Sequence, residues 1–191
     1  SENLPGHYQY KQKYILTSVK SGLMIIDQHR AHIRILFDTF LEQIKNKKGV
    51  SQRVLFPEII ELTPSEAATL SSIMEDLQAV GFELNNLGNY TFVIQGIPSE
   101  IGTSNPIPLI QSLIEKRTET ALDVKSEIQE SIALSLARLT AIPYGKTLSS
   151  EEMTHLINQL FACHLPNYTP DGNIIISVIS DDEIEKRMKT R

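Results

Sequence analysis

Leu23-Met24-Ile25-Ile26-Asp27-Gln28-His29-Arg30-Ala31-His32-Ile33-Arg34-Ile35-Leu36-Phe37-Asp38 is the stretch whose reading decides the fold. Its first four residues form an unbroken apolar run of strand length. Beyond Asp27-Gln28 the apolar residues recur at Ile33, Leu36, Phe37, Phe40, Leu41 and Ile44, the spacing of one helix face. A strand therefore runs directly into a helix, with Asp27, Gln28 and His29 at the junction. Upstream, Tyr10, Tyr14, Ile15, Leu16 and Val19 suit a strand over 8–20, and Ser21-Gly22 is a hairpin-sized turn. The expectation is an antiparallel hairpin with a buried second strand.

Downstream, the helix runs out at Lys45-Asn46-Lys47-Lys48-Gly49, and 53–62 reads as extended, with Pro57 confining it to an edge or a break. Thr63-Pro64-Ser65-Glu66 combines a cap, a first-turn proline and a capping box, and Gly81 stops the helix that follows. Phe82-Glu83-Leu84 and Tyr90–Ile94 flank Asn85–Asn89 as a second hairpin. A loop over 98–108 precedes helical segments at 107–118 and 123–141. Ser149-Ser150-Glu151-Glu152 caps another helix, which carries Met153, Leu156, Ile157, Leu160 and Phe161 on one face. A buried strand at 174–179 and a short helix at 181–188 close the chain. This mixed order predicts an α+β fold.

Composition narrows the class. The 191 residues hold 18 Lys+Arg against 23 Asp+Glu, a net charge of -5 that disfavours a DNA-coating domain. Cys163 is the only cysteine, which excludes an intramolecular disulfide and a Cys-rich zinc cage. No apolar run is long enough to span a membrane. Residues 1–7 read as the end of a linker, and a start at Ser1 without a signal-like segment suggests a cytoplasmic piece of a longer chain.

The junction residues admit two readings. His29 and position 33 lie four apart, so ligands there would face one metal from a single helix face, but position 33 is Ile. The alternative is that Asp27 caps the helix, His29 hydrogen-bonds locally and Ile33 packs in the core.

This stretch resembles the C-terminal dimerisation domain of the MutL mismatch-repair family, many members of which carry Asp-Gln-His-Ala-x-x-Glu-Arg-x-x-x-Glu after an apolar strand. Asp27, Gln28, His29, Arg34 and the acidic Asp38 match, whereas Arg30 replaces the alanine and Ile33 the first glutamate. The likeness extends over nearly the whole chain through element order and the Thr140-Ala141 to Met153 run. It implies a discontinuous dimerisation subdomain, 8–57 and 123–191, with a smaller regulatory subdomain, 58–122, inserted.

Nuclease-bearing members of the family add an Ala-Cys-Lys/Arg motif and a Cys-Pro-His-Gly-Arg-Pro motif to the first. Here Leu134 stands at the first cysteine's place, and the last segment reads Cys163-His164-Leu165-Pro166, with no Gly-Arg-Pro. No metal site and no catalytic residues are therefore expected. The alternative is a latent metal-dependent DNA-nicking endonuclease with an atypical site built from His29, Cys163 and His164.

Gln52-Arg53-Val54-Leu55-Phe56-Pro57 resembles the family segment that docks into the replication sliding clamp. Its glutamine, apolar anchors and stiffening proline suit an extended docking peptide, although a strand packed on its own core would read the same way. The resemblance further implies a homodimer, its interface sought among the N-terminal hairpin, the apolar segment 132–139 with Ile132, Leu134, Leu136 and Leu139, and the strand 174–179 with Ile174 and Ile176. The mismatch-recognition protein MutS, and DNA contacted through the full-length protein, are expected partners. ATP and Mg would belong to an N-terminal region outside this chain, in a nucleoid-associated bacterial setting.

Overall fold

The computed structural model describes residues 6–102, 104–120 and 124–189. Its elements are β1 (Tyr8–Tyr10), β2 (Tyr14–Val19), β3 (Gly22–Asp27), α1 (Gln28–Asn46), β4 (Ser51–Glu61), α2 (Pro64–Ala79), β5 (Glu83–Gly88), β6 (Thr91–Pro98), α3 (Pro106–Glu119), α4 (Lys125–Thr140), α5 (Ser150–Ala162), β7 (Ile176–Ser180) and α6 (Asp181–Met188). A short 3-10 turn at Ser99–Ile101 interrupts the stretch expected to be loop. Strand pairings among the described residues are antiparallel, and the fold is α+β as expected.

The chain divides into two compact units, 1–35 with 141–191, and 36–140. The inserted unit is thus wider than the 58–122 read from the sequence, and it is not the smaller of the two. The physical reason is continuity: β4 extends from Ser51 to Glu61 across its bulge, on both sides of position 58, and α4 packs on α3. Residues 1–5 of the expected linker and position 123 of the expected helix lie outside the described residues. His7 is already engaged, its Nδ1 3.1 Å from the Thr17 hydroxyl.

The first unit is built on a four-stranded sheet, β1-β2-β3-β7. Where one strand over 8–20 was expected, the chain turns back at Lys11-Gln12, both with φ of 51°. No glycine or asparagine announces that turn. Strand alternation sends Ile15, Met24, Ile26 and Ile176 to one face, where they pack with Ala31 and Ile35 of α1 and Met153, Leu156, Ile157 and Leu160 of α5. Fully burying each such side chain contributes about 1.5–3 kcal/mol. α5 begins at Ser149, whose side chain and that of Glu152 cap reciprocally, as the sequence predicts.

The opposite face of this sheet carries Tyr8, Tyr10, Tyr14, Leu16, Leu23, Ile25 and Ile179, aligned by the pairs Tyr8↔Leu16, Leu16↔Ile25 and Leu23↔Ile179. β7 is the sheet's edge rather than a buried strand, and Ile174 and Val178 are exposed.

The second unit holds the sheet β4-β6-β5 with α2, α3 and α4. β4 loses register between Arg53, paired with Gly96, and Glu58, paired with Ile94. Val54, Leu55, Phe56 and Pro57 therefore bulge opposite Gln95 alone. Pro57 has no N–H to give to a ladder, so a bulge there forfeits little. The β5–β6 turn is Asn89-Tyr90, with φ of 49° and 59°, and Asn85–Gly88, expected as loop, belong to β5. Thr63 and Glu66 cap α2 as predicted, and Gly81 follows at φ 110°, where a Cβ would sit 2.6 Å from the Val50 carbonyl.

Candidate functional site

β3 passes into α1 without a loop, which fixes Asp27 at the seam. Asp27 pairs with Tyr14 and shares its face with Leu23 and Ile25. Its Oδ1 accepts the Arg30 N–H at 3.0 Å, the expected cap, and Arg30 Nε lies 3.7 Å from Oδ2. The remaining acceptor capacity goes to Tyr144, whose hydroxyl donates to Oδ1 and Oδ2 at 3.0 and 2.8 Å. Burial, then the hydrogen bond to Asp27 and its charge, push the Tyr144 phenol up to about 12. Lys13 Nζ sits 5.1 Å from the Tyr14 ring and 4.9 Å from the Tyr144 ring, a cation–π contact with both.

Gln28 is fully buried and fully engaged. Its Nε2 donates to the carbonyls of Lys146 at 3.2 Å and Pro143 at 3.4 Å, and its Oε1 accepts from Gln9 at 2.7 Å. Gln9 in turn donates to the Lys146 carbonyl and accepts the Leu148 N–H.

His29 and His32, three apart and so on one face of α1, hold both backbone polar groups of Ile142. His29 Nδ1 lies 2.8 Å from the Ile142 carbonyl and must carry the hydrogen. His32 Nδ1 accepts the Ile142 N–H at 2.9 Å, which places its own hydrogen on Nε2. Burial first, then the charges of Lys146 and His29, hold the His32 pKa down at about 4. His32, Tyr144 and Gln9 were not legible as parts of this site. The i, i+3 histidine pair was the available signal for His32.

Asp27 thus caps the helix as the alternative to metal binding expected, whereas His29 does not bond locally but reaches the Ile142 carbonyl, 113 residues on. Ile33 is 6% exposed and packs as a core residue. Leu134 is half-buried on α4, His164 is exposed, and the Cys163 thiol donates to the Gln159 carbonyl at 3.5 Å. Among the described residues, no three His, Cys, Asp or Glu side chains gather where they could hold a metal ion. Ile33, four residues after His29 on the same face of α1, offers no donor where a second ligand would stand.

The clamp-like segment lies on the β4 bulge, with Leu55 93% and Phe56 79% exposed and Val54 half-buried. Beside it runs a groove lined by Ile97, Ser104, Asn105 and Pro106. A strand packed on its own core is not what the bulge forms. Of the residues sought for a dimer contact, Ile132 and Leu136 are buried within their own chain and offer no surface. Ile176 packs into the core cluster, while Leu139 and Ile174 are exposed. Spacing alone does not tell a buried helix stripe from an interface stripe.

Comparison with known proteins places these features. The family model of the MutL C terminal dimerisation domain matches residues 7–148. Proteins called DNA mismatch repair protein MutL are 56% identical in Bacteroides fragilis over 94% of this chain, 55% in Parabacteroides distasonis over 95%, and 38% in Prosthecochloris aestuarii over 94%. The chain covers 29%, 30% and 29% of those three relatives, so it spans under a third of their length. No described helix is long and apolar enough to cross a membrane. From the β1–β3 strands through the Asp27-Gln28-His29 seam to the segment it holds, the chain belongs to the family of MutL C-terminal dimerisation domains of DNA mismatch repair.

Proposed function

We propose that this domain joins two MutL protomers through the outer face of the β1-β2-β3-β7 sheet. The observation that carries the reading is the face itself, three tyrosines and four aliphatic residues, with Tyr8 63% and Tyr10 45% exposed. Stable interfaces bury about 800 Å² per partner around an apolar, aromatic-rich centre. A contact made by the same patch twice is isologous and closes as a two-fold dimer. On this reading the unit 1–35 with 141–191 is the dimerisation subdomain and 36–140 the regulatory one. Joining the chains here makes encounter of the ATP- and Mg-binding regions of the longer protein intramolecular, and its work with MutS and DNA would follow from that.

Tyrosine footprinting tests the face. Tyr8 and Tyr10 should lose reactivity as protomer concentration rises, while Tyr90, exposed on the other unit, should not. Equal reactivity of all three at every concentration would sink the reading.

The site joins rather than cuts. Support comes from Ile33 in place of a carboxylate, and from Asp27 and Gln28 being engaged by Arg30, Tyr144, Gln9 and the Lys146 carbonyl. Full-length protein with manganese should leave supercoiled DNA intact; nicking lost in His29→Ala would instead favour an atypical endonuclease site.

A second function is docking of the replication sliding clamp by Gln52, Val54, Leu55, Phe56 and Pro57. The bulge supports it, because Leu55 and Phe56 already stand in solvent and need no unfolding to reach a pocket. Gln52→Ala with Phe56→Ala should abolish clamp binding in a calorimetric titration, and unchanged affinity would refute it.

A further inference from the structure

The segment 142–148 follows α4 and has no regular structure of its own, yet the seam grips it along most of its length. Ile142 is held by two histidines, Pro143 and Lys146 by Gln28, Tyr144 by Asp27, and Leu148 by Gln9. Gly145 adds a backbone bond, its N–H donating to the Gln12 carbonyl at 3.0 Å. A core needs no such density of polar bonds to close a connection. What they accomplish is placement, because each bond is directional and together they fix both the path and the roll of the segment.

The placement has a destination. Asp27 lies on the outer face of the sheet beside Tyr14, and the Tyr144 hydroxyl reaches it there. Lys13 spans the Tyr14 and Tyr144 rings, so Tyr144 continues the tyrosine row of that face past the end of β2. The Tyr144 ring is also 4.9 Å from the His29 ring, which fixes its other side. Tyr144 is 45% exposed, so half of this fixed side chain remains available to a partner.

We propose that residues 142–148 form the rim of the self-association face, and that the seam made by Asp27, Gln28, His29 and His32 is a positioning device that holds Tyr144 against a second copy of this chain. The proposal rests on the outer face being the dimer contact. Asp27 and the two histidines are positioning residues, acting through Tyr144 and Ile142 rather than touching the partner. Dimer affinity is then set by whether the segment is docked: a protomer with its rim released presents a shorter face.

Tyr144→Phe is the test, since it keeps the ring and removes the bond to Asp27. In the full 191-residue chain, it should weaken dimerisation by about tenfold, corresponding to about 1.4 kcal/mol, and speed amide exchange at 142, 145 and 148. Exchange in the α5 core should not change. Faster exchange in the segment with a dissociation constant within about twofold of the parent would overturn the rim, and a weaker dimer with unchanged exchange would overturn the positioning role. Ile25→Glu separates the two readings: if it leaves the dimer intact, the outer face itself fails. Should Tyr144→Phe not fold, dilution of the parent chain through its dissociation constant replaces it. Protection of the 142–148 amides must then fall as the dimer separates, and protection independent of dilution overturns the proposal.

Discussion

Acid should weaken this fold through His32, by an amount the structure sets. Its Nδ1 accepts the Ile142 N–H at 2.9 Å, so protonation would put two N–H groups face to face. Burial and the neighbouring Lys146 and His29 hold its pKa at about 4, against 6.5 for the ordinary residue. The unfolded chain therefore takes up this proton at higher pH than the folded chain. Stability from neutral His32 is complete above 6.5, falls as pH drops through that value, and is fully lost near 4. The gap corresponds to about 3 kcal/mol in total, most of which should be gone by about pH 4.5.

Chemical denaturation at fixed protomer concentration measures the loss, since dimerisation makes apparent stability concentration-dependent. His32→Gln is the reference chain, because its amide oxygen can accept the Ile142 N–H but does not titrate. Comparing the two chains cancels the carboxylates that titrate in both. The parent's stability relative to His32→Gln should fall by about 2–3 kcal/mol between about pH 7.5 and 4.5. Parallel pH profiles for the two chains would refute the reasoning.

Other outcomes follow from burial and capping. Leu160→Ala removes a side chain with 0% exposure from the α5 core and should cost about 2–5 kcal/mol in denaturant unfolding. Thr63→Ala breaks the reciprocal cap of α2 and should cost about 1 kcal/mol. Leu55→Ser with Phe56→Ser, both in solvent on the bulge, should leave stability within about 0.5 kcal/mol while removing clamp binding.

Much of this architecture was legible where local chemistry decides it. Thr63-Pro64-Ser65-Glu66 and Ser149-Ser150-Glu151-Glu152 set helix starts to the residue, because a capping box satisfies backbone donors without help from elsewhere. Pro57, read as confining its strand to an edge or a break, lies in the bulge of an edge strand because it has no N–H for a ladder. What escaped reading depends on tertiary contact. Lys11-Gln12 turns with positive φ on residues that rarely announce it, and the second hairpin, expected to turn within Asn85–Asn89, turns at Asn89-Tyr90 because β5 runs on to Gly88. Ile132 and Leu136 resembled an interface stripe until α3 was seen to cover α4. At the seam, the Asp27 cap and the core position of Ile33 could be weighed from the sequence. The partners of His29 and His32, and those of the Gln28 amide nitrogen, could not, since they lie more than 100 residues downstream and are backbone atoms without a sequence signature.

The outer face of the four-stranded sheet is tested most directly by the solution mass of the chain with and without Ile25→Glu. Sedimentation equilibrium should give twice 21.5 kDa for the parent and 21.5 kDa for the variant, with matching circular dichroism. A parent of 21.5 kDa at high protomer concentration, or an Ile25→Glu chain that stays at twice that mass, would contradict the assignment of this face as the joint between two MutL chains.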